Sequence, residues 1–321
     1  MELPIDSLNF PWIDSPFFES HLARHDLDEP TKEMIRSYAD DGYIIIDPEI
    51  ESFDALAREI IDTCSHDPEY QTRLMDEWER IPAVKTLAIA SKILSTLATL
   101  YRRKPIPMQT LNFARGTQQL AHSDSMHFNC IPRGFMCGVW IALEDTDEEN
   151  GPLEYYPGSH KLPYFDHSHL GITASSQQQH EHYPQYEQFI QTCIEELNLK
   201  KSLLIARKGQ AIIWAGNLLH GGSPVKDASR TRHSQVTHYY FENCLYYQPQ
   251  RSDPFLGQIE WLHKRDIRTG QYIPHVYNGK LARLPLTLRQ RLKLYAKRSR
   301  TIMLLRHSRI TESVLHLLRR S

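Results

Sequence analysis

At 321 residues the chain is long enough to bury a sizeable core as one large domain or two small ones, and 40% hydrophobic with 24% charged residues is the balance of an ordinary globular protein. Five cysteines, Cys64, Cys130, Cys137, Cys193 and Cys244, are odd in number and scattered, without a CxxC pair, which speaks against a disulfide framework and for a reducing, cytoplasmic setting. The net charge of −2 hides an asymmetry: residues 281–321 carry eleven Lys or Arg against the single acid Glu312, so an acidic body ends in a basic tail.

Residues 1–28, rich in Pro, Asp and aromatics, read as irregular. They show no basic region followed by an apolar run, as a signal peptide would. Nor does any uninterrupted apolar stretch reach the roughly 18–20 residues of a membrane span. "EPTKEMIRSYADDGYIIID" (29–47) predicts a capped helix, a turn at Asp41-Gly42 and a β-branched strand at 43–46. Apolar spacing near 3.6 predicts helices over 52–64 and 84–100.

From about residue 106 the texture changes to short strands: "MQTLNFA", "QQLAHSD", "FMCGVWIAL", "LEYYPG", "SLLIA", "AIIWAG" and "SQVTHYYF". This punctuation by Gly and Pro predicts an antiparallel jelly-roll, a double-stranded β-helix of the cupin type over about 106–245, with the earlier helices in support. Residues 161–184 interrupt the series without apolar periodicity and read as a lid or binding loop; 185–200 read as a helix. The expected division is a domain at 1–280 and a basic amphipathic helical tail at 281–321.

Within "LAHSDSMHF" (120–128), His122 and Asp124 stand at i and i+2, the same face of a strand. A solvent-facing turn is the bland reading of so short a triplet. Facing inward, the pair is costly to bury unless something binds it. His220 in "GQAIIWAGNLLHGGSPV" follows an apolar strand and a short turn, from which it can project into the barrel mouth. Two His and one carboxylate with open positions suit non-haem Fe(II).

These motifs, in this order, resemble the phytanoyl-CoA dioxygenase family of Fe(II)/2-oxoglutarate-dependent oxygenases. The likeness runs over roughly 33–245: the HxD of His122 and Asp124, "GVWIALEDTDEENGPLEYYPGSHK" (138–161), "LLHGGSP" around His220, and a basic residue ahead of "SQVTHYYF". The resemblance implies Fe(II) held by His122, Asp124 and His220, with 2-oxoglutarate and O2 as co-substrates. It implies Arg232 as the partner of the distal 2-oxoglutarate carboxylate, with Arg230 as the fallback; Arg suits this bidentate role and Lys does not. With Asp at 124 it implies hydroxylation of a small molecule rather than halogenation, desaturation or ring closure staying open. Trp140 either lines the co-substrate pocket or packs as core, and Gln119 is a candidate contact to co-substrate or substrate. His160 reads as fixing a turn, His238 as inward packing, and His127, His167, His169, His180 and His182 as surface histidines rather than a second metal site.

Two alternatives use the same fold: a Zn-dependent hydrolase, which leaves the arginine after His220 unexplained, and a non-catalytic binding protein. The tail reads either as a peripheral membrane contact or as a helix packed on the body or on a second subunit. No recognised module accompanies its charge to suggest nucleic-acid binding.

Overall fold

The computed structural model describes residues 9–172 and 179–286, together with 291, 292 and 295. From residue 9 to Leu281 the described residues belong to one compact unit. The predicted tail helix falls on residues that lie, nearly all, outside those described.

The N-terminal third is mostly helical: α1 (Phe18–Arg24), α2 (Glu29–Asp41), β1 (Tyr43–Ile46), α3 (Phe53–Cys64), β2 (Leu74–Met75), α4 (Pro82–Ala88) and α5 (Ser91–Tyr101). Asp28 caps α2 by accepting the Thr31 N–H at 2.8 Å. The single helix predicted over 84–100 is two, because Ile89 and Ala90 leave helical geometry between α4 and α5. No Pro or Gly marks that break, so apolar spacing runs through it unaltered. Together 82–101 are long and apolar enough to pass for a membrane span by length and composition, though Lys85 and Lys92 interrupt the apolar run. In the fold they serve the core, with Val84, Leu87, Ile93, Leu97 and Leu100 fully buried.

The rest supplies β3 (Pro105–Phe113), β4 (Asn129–Ile131), β5 (Met136–Ala142), β6 (Leu153–Tyr155), α6 (Gln179–Glu196), β7 (Ser202–Leu203), β8 (Ala211–Ala215), β9 (His220–Gly222), β10 (Ser234–Phe241) and β11 (Leu245–Tyr247). Six strands form one antiparallel sheet in the order β1-β8-β5-β10-β3-β2, and β7-β6-β9 form a smaller one. This is the jelly-roll architecture expected from the strand texture.

Both faces of the large sheet are covered. Ile35, Ile60, Leu87 and Leu97 of the helices belong to one core with Val139, Ile141 and Ile213 of the sheet. Trp140, Ile212, Trp214 and Val236 point the other way and form a second core with Leu153 and Tyr155 of the small sheet. Strands buried on both faces need no polar alternation, which is why β5 and β8 are nearly continuous apolar runs. Each such large side chain contributes roughly 1.5–3 kcal/mol when fully buried.

Two predicted segments differ. "QQLAHSD" is not a strand: Gln118 adopts φ +52°, residues 114–121 follow an irregular path, and only His122 pairs, through one bridge to His220. Within 161–184, 3-10 turns occupy Ser159–Lys161 and His167–Leu170, and α6 starts at Gln179 and runs through Pro184, a residue that reads as a helix boundary in sequence.

Candidate metal centre

His122 and His220 face each other across an isolated bridge. The N–H of each donates to the carbonyl of the other at 2.9 and 3.0 Å, and their rings stand 4.7 Å apart. Just beyond His122 the chain turns inward at Asp124–Met126. The turn is tied to the loop after β8, since Ser125 N–H donates to the Gly216 carbonyl at 2.9 Å and Ser125 Oγ to Asn217 Oδ1 at 2.8 Å. Gly221, immediately after His220, permits the close approach of the two segments, because a Cβ there would lie 2.7 Å from the Gln119 carbonyl oxygen. One ligand atom each from His122, Asp124 and His220 then falls within 4.8 Å of the others, all three residues being buried. Among the described residues no other group of three His, Cys, Asp or Glu converges in this way.

The imidazoles are set up as neutral donors. His122 Nδ1 lies 3.0 Å from the Leu120 carbonyl and His220 Nδ1 lies 3.0 Å from the Leu218 carbonyl. A carbonyl only accepts, so each Nδ1 carries the proton and each Nε2 lone pair is free. Burial, reinforced by the neighbouring His220, pushes the His122 pKa down to about 3, against the pull of Asp124. The carboxylate shows the reverse balance: burial raises its pKa, but His238 and His220 outweigh burial and hold Asp124 below the usual carboxylate range.

Asp124 is also held from behind. Trp214 Nε1–H donates to Asp124 Oδ2 at 2.8 Å, and His238 Nε2 stands 3.4 Å from the same oxygen. The Trp214 ring also packs against His220, with 4.7 Å between centroids. It has room because Gly138 sits opposite it in the β5–β8 register, where a Cβ would come within 2.4 Å of the indole. Sequence pattern does not single Trp214 out, since an aromatic in "AIIWAG" reads as core.

The centre opens on a cavity of about 260 Å³ lined by Trp140, Gln119, His127, His238, Arg232 and Arg73 among others. The two candidate arginines part company. Arg230 is at the surface, ion-paired to Asp147 at 2.8 Å, whereas Arg232 is 3% exposed and its Nε has no hydrogen-bond partner. Burial pushes the Arg232 pKa down to about 10, with Glu144 opposing, so the guanidinium stays charged at neutral pH. Its Cζ lies 5.5 Å from the Trp140 ring, and Trp140 combines both of its readings: it is packed in the core, lines the cavity and keeps an unpartnered Nε1.

The histidines read as surface residues need correction. His127 lines the cavity with Nδ1 3.3 Å from Gln250 Oε1 and Nε2 3.1 Å from Tyr183 Oη; burial lowers its pKa. His167 is 1% exposed because its 3-10 turn folds inward, and it packs on His182 with 6.4 Å between rings. His169 does stay at the surface, paired with Asp166 at 3.1 Å, while the side chain of His180 lies outside the described set. His160 bonds the Ala39 carbonyl at 3.1 Å and ties the PGSH turn to α2.

Over residues 66–234 the chain matches the protein-family model described as phytanoyl-CoA dioxygenase. It is 30% identical over 164 residues to a phytanoyl-CoA dioxygenase of Arabidopsis thaliana, covering 49% of this chain and 52% of that one. It is 26% identical over 130 residues to the peroxisomal phytanoyl-CoA dioxygenase of Bos taurus, covering 39% and 34%. The chain thus spans about half or less of the length of these curated relatives. Among solved structures it resembles the non-heme alpha-ketoglutarate-dependent carbocyclase SnoK of nogalamycin biosynthesis, with TM-score 0.53, 15% identity and coverage of 74% and 94%. It also resembles EctD from S. alaskensis with 2-oxoglutarate and 5-hydroxyectoine, with TM-score 0.52, 15% identity and coverage of 73% and 83%. At such identities these likenesses speak for the fold alone.

Proposed function

Because this chain belongs to the phytanoyl-CoA dioxygenase family, we propose that it is an Fe(II)/2-oxoglutarate-dependent oxygenase that hydroxylates an unactivated C–H bond of a small molecule. The residues fit the metal: two imidazoles with free Nε2 atoms and one ionised carboxylate are a donor set for Fe(II) with positions left open. When bound, iron and 2-oxoglutarate supply the oxidation by O2, with succinate and CO2 as the products of the co-substrate.

The protein's part is to hold, orient and shield. His122, Asp124 and His220 are the metal ligands, and Trp214 and His238 keep Asp124 in place. Arg232 binds the distal carboxylate of 2-oxoglutarate, with Trp140 beside it and Gln119 on the cavity wall. The apolar walls from the two sheets keep bulk water from the reacting positions.

One observation carries the reading. A buried arginine without an ion pair among the described residues shares the cavity with the two-histidine, one-carboxylate cluster. A charge so buried is costly unless an anion joins it, and a Zn hydrolase has no use for it. Five free thiols, four of them buried, support a cytoplasmic setting.

The test is anaerobic addition of Fe(II) and 2-oxoglutarate, where a weak visible charge-transfer band is expected, followed by a substrate-library screen for stimulated succinate release. Absence of both the band and any 2-oxoglutarate turnover overturns the proposal.

A further inference from the structure

The cavity contains a second guanidinium that the metal and co-substrate leave unused. Arg73 lies just ahead of β2, the edge strand beside β3. Leu74 turns into the core at 4% exposure, while its neighbours Arg73 and Met75, two residues apart, both line the cavity. Gln109 of β3 reaches Met75 Sδ at 3.3 Å, which fixes this corner of the wall. The Arg73 charge is near enough to act on both His127 and Tyr183, which are joined at 3.1 Å.

No acid neutralises it among the described residues. Asp67 and Glu77 pair with Arg80, Glu79 pairs with Arg265, and Asp76 accepts the Thr110 N–H at 3.1 Å. Asp124 is the one carboxylate among the lining residues. With Fe(II), ionised Asp124, dianionic 2-oxoglutarate and Arg232 in place, the charges at the centre cancel, and Arg73, solvent-exposed at the cavity's rim, is the other cationic side chain among the lining residues. Beside it Met75, Leu111 and Phe128 provide an apolar wall.

We propose that the substrate of this cavity carries an oxyanion, a carboxylate or a phosphate, bound by Arg73, with an apolar portion directed along Met75, Leu111 and Phe128. This substrate class rests on the oxygenase reading above. A fork-shaped guanidinium grips either oxyanion through two N–H donors, and the contact weakens with salt at a partly open site.

Three eight-carbon probes of matched length test it: octanoate, octyl phosphate and the neutral octanamide. Each is titrated calorimetrically into the Fe(II)- and 2-oxoglutarate-loaded protein without oxygen, and into metal-free protein. The expected result is that at least one anionic probe binds about tenfold or more tightly than octanamide, a preference reduced by salt. Arg73→Gln is expected to erase the preference and Arg73→Lys to keep part of it, with the 2-oxoglutarate titration unchanged in both. The tighter of the two anions identifies carboxylate or phosphate as the natural group. Equal binding of octanamide, no binding of either anion, or a preference that survives Arg73→Gln overturns the inference. A missing visible band alongside an intact, Arg73-dependent anion preference refutes the oxygenase reading alone.

Discussion

Trp214→Phe isolates the indole N–H that holds Asp124. The replacement keeps an aromatic ring on β8 but removes the 2.8 Å hydrogen bond to a buried carboxylate oxygen. A hydrogen bond to a charged group contributes about 1.5–3 kcal/mol net. If that energy serves to fix Asp124 as a metal ligand, Fe(II) affinity should fall about 10- to 150-fold, since each ~1.4 kcal/mol is a factor of ten. The smaller ring also leaves a void beneath His220 and Gly138, so thermal stability should fall as well. The two effects separate in the assay: Fe(II) is titrated anaerobically at fixed 2-oxoglutarate and read by the visible band, at a temperature where circular dichroism shows the variant folded. Gly138→Ala provides a second approach, because its Cβ would push the indole from its seat while leaving the N–H chemically intact. A folded Trp214→Phe variant that binds Fe(II) within twofold of the parent would refute the claim that this bond positions the carboxylate.

Arg232→Ala should raise the 2-oxoglutarate requirement far more than Arg230→Ala, because a lost contact that leaves its partner buried costs about 2–5 kcal/mol and Arg230 already spends its charge on Asp147; 2-oxoglutarate titrations of both variants check the ranking. His122→Ala and His220→Ala should each abolish the visible band, and Asp124→Ala should abolish hydroxylation measured as succinate release; full activity in Asp124→Ala would remove it from the ligand set. In the metal-free protein, burial holds His122 at about 3 and His160 and His275 at about 4, all below the unfolded value near 6.5. The unfolded chain therefore binds more protons below that pH, so stability should be full above about 6.5 and decline towards pH 3, by up to ~1.4 kcal/mol per pH unit for each such group. Urea midpoints measured across this range, with His160→Asn flattening the slope, check it.

Much of the architecture was legible in the chain itself. Hydrophobic period is a local property, so α2, α3 and the strands β3, β5, β8 and β10 announce themselves by spacing and by β-branched or aromatic runs. His122, Asp124 and His220 stand out as an HxD triplet followed by a later His, a pattern of residue types costly to bury without a purpose. What spacing does not encode is pairing. The irregular path before His122 depends on the single bridge to His220, a contact between residues 98 positions apart. The break between α4 and α5, at Ile89 and Ala90, has no breaker residue to announce it.

The same reason separates the two arginines. Arg230 and Arg232 share composition and neighbourhood, yet Arg232 N–H bonds the Ala114 carbonyl at 2.8 Å and its side chain is buried, while Arg230 meets Asp147 at the surface. Trp214 reads as core until the β5–β8 register sets it opposite Gly138 and beneath Asp124. Sequence by itself determined most of the regular elements and the candidate ligands His122, Asp124 and His220, because both readings depend on side-chain type and local pattern. Only the tertiary structure decided which polar groups share a cavity and which are left without a partner, because strand register and burial are settled by contacts among residues far apart in the chain.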